Sequence, residues 1–138
     1  MGSYSATIRT VDDGEADHAS PSTLVLDHHR TKRAAIDMEV PSGGHLLHLA
    51  IAGCLFNDIL REAPLRGISI DHLAVSADGN FDERGSTGIR YQIDIDSPAA
   101  RTEVERLVAD METDATIPQA LRNGATVERA DLKISTGS

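Results

Sequence analysis

The stretch that most limits the fold is Pro41-Ser-Gly-Gly-His-Leu-Leu-His-Leu-Ala-Ile-Ala-Gly-Cys-Leu-Phe-Asn-Asp-Ile-Leu-Arg-Glu-Ala63. It reads as one long helix launched from a Gly-Gly turn, with Ser42 placed to cap it and Pro64 and Gly67 placed to stop it. From Leu46 to Phe56 the run is apolar on nearly every side, with small Ala50, Ala52 and Gly53 among the leucines, which predicts burial all round. From Cys54 onward it turns amphipathic. Leu55, Phe56, Ile59, Leu60 and Ala63 make one face, while Cys54, Asn57, Asp58 and Arg61, at offsets of three, four and seven, share the other. The one cysteine therefore stands where a buried helix begins to show a polar stripe. In 138 residues such a helix needs more cover than one sheet supplies, and a second subunit is the expected source.

The flanking segments read as strands. Tyr4 to Val11 alternates as a half-buried strand, Asp12-Asp13-Gly14 turns it, and Thr23 to Leu26 is a short second strand after an acidic loop over Glu15 to Pro21, a hairpin with a long tip. Beyond the basic loop Asp27 to Arg33, the residues Ile36, Met38 and Val40 alternate with acids as a third strand ended by Pro41. Leu73 to Ala77 is a strand with Asp78-Gly79-Asn80 as its turn signal, and Asp82 to Gly88 a polar loop. Ile89, Tyr91, Ile93 and Ile95 then alternate with Arg90, Gln92, Asp94 and Asp96 in the clearest strand of the chain. Ser97-Pro98 starts a second helix whose apolar face is Val104, Leu107, Val108 and Met111. Thr116 to Arg122 is a short helix, and Ala130, Leu132 and Ile134 form a closing strand. Antiparallel pairing of consecutive strands makes the class α+β, in a single domain over residues 1–138.

Composition excludes several functions. Twenty-two acidic against thirteen basic residues give a formal charge of −9, which repels nucleic acid and anionic membrane. No stretch reads as a membrane span and no signal-like apolar segment opens the chain, so a soluble cytoplasmic protein is expected. With two Tyr, two Phe and no Trp, the core must be aliphatic. A single cysteine excludes an intrachain disulfide.

Cys54 is a nucleophile only as thiolate, and the local sequence opposes that form. It lies beyond the first helical turn, where the dipole acts, and Asp58 is one turn away. Arg61, three residues from Asp58 on the same face, is placed to pair with that acid. His45 and His48 share a face, but Cys54 lies six and nine residues further round the helix, so the three cannot converge on one metal ion. They read as polar residues at the helix entrance, and no metal or cofactor is expected.

The strand trio, the Gly-Gly turn, Leu46 to Cys54 on a buried helix, the hairpin and the Ile117-Pro118 helix start together resemble the OsmC/Ohr family. The resemblance implies antiparallel sheets packed around a long central helix, an intertwined homodimer, and reduction of organic hydroperoxides. It implies that Cys54 is the peroxide-attacking thiol. It also implies that the family's resolving cysteine falls at Ile117, its activating glutamate about at Gly44, and its arginine in the hairpin where this chain has Asp12-Asp13-Gly14. An enzyme of this kind would use an external thiol as reductant, since Ile117 cannot resolve an oxidised Cys54. The alternative is a binding module in which an apolar pocket at the dimer interface holds a small molecule and Cys54 is packing. Residues expected to line either site are Gly44, His45, His48, Asn57, Asp58, Arg61 and Ile117.

Overall fold

A computed structural model describes residues 3–12, 22–135 and 137. Five strands form one antiparallel sheet: β1 (Tyr4–Thr10), β2 (Thr23–Asp27), β3 (Arg33–Met38), β4 (His72–Asp82) and β5 (Gly85–Asp96), in the spatial order β2-β3-β1-β4-β5. The helices are α1 (Gly43–Glu62), α2 (Arg101–Asp114) and α3 (Thr116–Asn123), with a short 3-10 turn at Pro64–Arg66. The α+β class and the order of most elements follow the sequence expectation.

The helix α1 forms where its signals predict. Ser42 caps it, its Oγ accepting from the backbone N–H of His45 at 3.3 Å, and Pro64 begins the 3-10 turn that ends on Gly67, at φ 69°. Ile51, Ala52, Leu55, Phe56 and Ile59 turn to the sheet and meet Ile8, Leu73, Val75 and Ala77 in one core, with Leu107 and Met111 of α2 closing the side. Each large side chain buried there contributes about 1.5–3 kcal/mol. Leu46 remains 45% exposed and Ala50 is exposed. One chain therefore does not cover α1 all round. Residues Gly43–Arg66 also form a segment long and apolar enough for a membrane span, contrary to the sequence reading, but half of its apolar window is buried against the sheet and α2 as core.

Four sequence expectations are corrected. β1 and β2 do not form a hairpin, because β3 lies between them and pairs with both (Ile8↔Ile36, Leu24↔Ile36); the acidic loop over Glu15 to Pro21 lies outside the described residues. Asp78-Gly79-Asn80 is not a turn. It runs inside β4, the register shifts between Gly79 and Phe81, and the polar loop expected over Asp82 to Gly88 shrinks to a reversal at Glu83–Arg84, since Asp82 ends β4 and Gly85 to Gly88 belong to β5. The reason for glycine there is close approach, since a Cβ on Gly79 would lie 2.6 Å from His48 Nε2. The second helix starts at Arg101 with Ala100 as its cap residue, three residues after Pro98; Ser97 instead bonds the Ser69 carbonyl and the Ala99 N–H. The closing strand is absent: residues 124–135 pair with no strand, and Leu132 and Ile134 are 58% and 71% exposed.

Candidate functional site

Cys54 sits in the middle of α1, half-buried. One turn on, Asp58 is buried, and its Oδ2 lies 4.0 Å from Cys54 Sγ, close enough to accept the thiol proton. Its Oδ1 accepts from Arg61 Nη1 at 3.1 Å and from Asn57 Nδ2 at 3.3 Å. Arg61 thus forms the i,i+3 ion pair that its spacing favours. Its other nitrogen, Nη2, lies 3.8 Å from Met111 Sδ on α2, so packing as well as charge holds the guanidinium toward Asp58. Among the described residues, Asn57 Oδ1 is buried without a hydrogen-bond partner. One carboxylate thus contacts both the thiol and the guanidinium.

Gly44, His45 and His48 are not part of this group. The rise of an α-helix sets Gly44 about 15 Å from Cys54 along the axis. His45 Nδ1 lies 2.6 Å from Ser42 Oγ, and His48 Nδ1 lies 2.6 Å from the Gly44 carbonyl oxygen. A carbonyl only accepts, so His48 donates from Nδ1, and its buried Nε2, turned to Gly79, has no hydrogen-bond partner among the described residues. Tyr4 packs edge-on against both His45 and Phe81. Its ring lies over Gly44, where a Cβ would be 2.6 Å from Cε1. A larger side chain at 44 has no room while Tyr4 occupies that place. No group of three or more His, Cys, Asp or Glu able to hold a metal ion occurs among the described residues.

Sequence reasoning expected an apolar pocket but did not single out the residues that line this one. Leu47 and Ile51 of α1, Ser86, Ile89 and Tyr91 of β5, and Pro118, Leu121 and Arg122 of α3 enclose about 280 Å³. Positions 47, 51, 54 and 58 share one helical stripe, so Cys54 lies a turn beyond the cavity's α1 wall. Tyr91 donates to Glu112 of α2. Burial and this hydrogen bond push its phenol up to about 12. The signal available in the sequence was Tyr91 standing in an otherwise isoleucine row. Ile117, also on α3, is half-buried against the core.

On the far side of the fold, the His28 ring meets Phe56 edge-on at 5.3 Å and stacks on His29 at 4.9 Å. Burial, then the His29 and Arg30 charges, hold its pKa below the usual histidine value. The basic loop is thus partly a lid on the core.

A long helix laid on one face of an antiparallel sheet, with a lone thiol in its middle, defines the class of domain. A family model for OsmC-like proteins matches residues 37–129, and the chain belongs to that family. The fold is similar to the crystal structure of an OsmC-like hydroperoxide resistance protein from Jannaschia sp. CCS1, with a TM-score of 0.50, 15% identity and 97% of each chain covered. Comparison with curated proteins returns no match.

Proposed function

We propose that this protein is a one-cysteine, thiol-dependent hydroperoxide reductase that acts slowly. The observation that carries the reading is the position of Cys54, half-buried and one turn from an apolar cavity on the same stripe of α1, in an OsmC-like domain. The Cys54 sulfur attacks the distal oxygen of an organic hydroperoxide. An S–O bond forms, the O–O bond breaks, and the alcohol leaves with a proton, so the thiolate becomes a sulfenic acid. One external thiol condenses with it to a mixed disulfide and water, and a second releases the disulfide and restores Cys54. With Ile117 in place of a second cysteine, no intrachain disulfide intercepts the intermediate. The slowness follows from Arg61, which is held to Asp58 rather than to the sulfur. The reading takes the protein as a cytoplasmic homodimer, and the exposed Leu46 and Ala50 on α1 support a second subunit.

The Asp58 contact favours a second reading, in which the cavity binds a small apolar molecule and Cys54 is packing. Intact-mass spectrometry separates the two. One equivalent of an organic hydroperoxide is expected to add one oxygen to Cys54, reversed by a small thiol. Excess peroxide should add a second oxygen, and Cys54→Ser should remove both. A wild-type protein left unmodified under conditions that oxidise a two-cysteine peroxidase ends the enzyme reading.

A further inference from the structure

Residues 97–100 join β5 to α2, and the helix runs back along the strand it has just left. The inward row of β5, Ile95, Ile93, Tyr91 and Ile89, therefore meets a stripe of α2 formed by Val104, Val108 and Glu112, spaced four apart. Two spaces lie along this line. A trough of about 560 Å³ is lined by Ile93 and Ile95 on one side and by Val104 and Val108 on the other. The apolar cavity of about 280 Å³ takes over at Tyr91 and Ile89, with Pro118 and Leu121 of α3 opposite. At the junction, Tyr91 reaches across and donates to the Glu112 carboxylate, one helical turn past Val108. Tyr91 is the polar member of an isoleucine row, and with its phenol pushed up to about 12 it stays a donor at neutral pH.

We propose that the Tyr91–Glu112 pair is a partition between these two spaces and sets the size of the apolar group that the cavity takes: a branched alkyl group or a single aryl ring enters, and a long linear chain does not. Ligand pockets usually enclose about 300–1,000 Å³. The cavity alone falls just under that range, whereas cavity and trough joined would lie well inside it and would follow the row from Ile89 to Ile95 for about 20 Å. The pair blocks that route. A chain passing from one space to the other must break the phenol–carboxylate bond and press methylene groups against an unpaired carboxylate, which is unfavourable. The other way out passes Leu121 and Arg122, both exposed, and methylene groups left there stay in water and forgo burial. The inference rests on the reading that this cavity holds the apolar part of a substrate or ligand, and it applies alike to the reductase and to the binding module.

The test uses two alcohols that cannot oxidise Cys54, 2-phenyl-2-propanol and 1-decanol, with binding to the full chain read from isoleucine-methyl NMR shifts. The wild type is expected to bind the aryl alcohol at least tenfold more tightly than the linear one. Tyr91→Ala removes the partition itself. Glu112→Ala removes only its anchor on α2 and decides the matter if the first variant does not fold, as checked by circular dichroism. In each folded variant the ratio of the two affinities should shift toward 1-decanol by at least tenfold, a change that a general loss of stability does not produce. An unshifted ratio, or a wild type that prefers 1-decanol, overturns the partition and leaves the cavity as a ligand site. A wild type that binds neither alcohol overturns both. The matching hydroperoxides, cumene and decyl, are tested on the same samples by intact mass. If the alcohols show the expected selectivity but neither hydroperoxide oxidises Cys54, the partition stands and the reductase reading fails.

Discussion

At Cys54, thiol and guanidinium compete for one carboxylate. Asp58 is nearly closed to solvent and Arg61 is its charge partner, so the two changes that separate them act in opposite senses. Asp58→Asn removes the anion beside the sulfur and frees Arg61. It is expected to raise the rate of Cys54 alkylation at neutral pH several-fold, and an unchanged or slower rate would show that Asp58 does not restrain the thiol. Arg61→Ala leaves the buried carboxylate without its partner and should cost about 1–2 kcal/mol in urea unfolding, the pair being partly exposed. Tyr91 answers to pH. Its folded value of about 12 lies above the ordinary 10.0, so the stability it contributes is complete below pH 10 and is lost as pH rises through 12. An ultraviolet titration should show one phenol ionising near 12, and Tyr91→Phe should remove that step. His28 has the reverse sign. Its folded pKa is below 6.5, so stability is full above pH 6.5 and falls as the pH drops toward the folded value. His28→Gln should flatten that decline in Tm.

Among the elements, α1 is held by contrasts between neighbouring positions. Gly43 has open space where a Cβ would be, whereas Gly44 is pressed by the Tyr4 ring. Gly43→Ala is expected to stabilise the chain by about 0.5–1 kcal/mol, as replacement of glycine in a helix does. Gly44→Ala should destabilise it by about 1–3 kcal/mol through overpacking. Adding Tyr4→Ala to Gly44→Ala should remove the clash, and a strictly additive double variant in urea unfolding would refute this account. Ile51 is buried among the sheet residues. Ile51→Asp is expected to prevent folding, because an unpaired buried carboxylate costs several kcal/mol, of the order of total stability.

For the whole molecule, the exposed Leu46, the half-covered β5 row and the exposed Leu132 and Ile134 leave apolar surface on a single copy. If two copies associate as proposed, Tm should rise with protein concentration by mass action, and a Tm constant over a hundredfold range would argue against the dimer. How much of this was legible in advance depends on range. Local patterns determined α1 and its caps, the period-two strands, the α+β class and the Asp58–Arg61 pair, because each arises from residues within a few positions of one another. Tertiary structure alone decided the rest. The insertion of β3 between β1 and β2, the Gly79 contact with His48, the Tyr4 ring over Gly44 and the cavity between α1, β5 and α3 join residues far apart in the chain, and no local period encodes such contacts. The segment around Ala130, Leu132 and Ile134 marks the boundary between the two: its alternation specifies a strand, but a strand forms only where a partner edge pairs with it, and among the described residues none does.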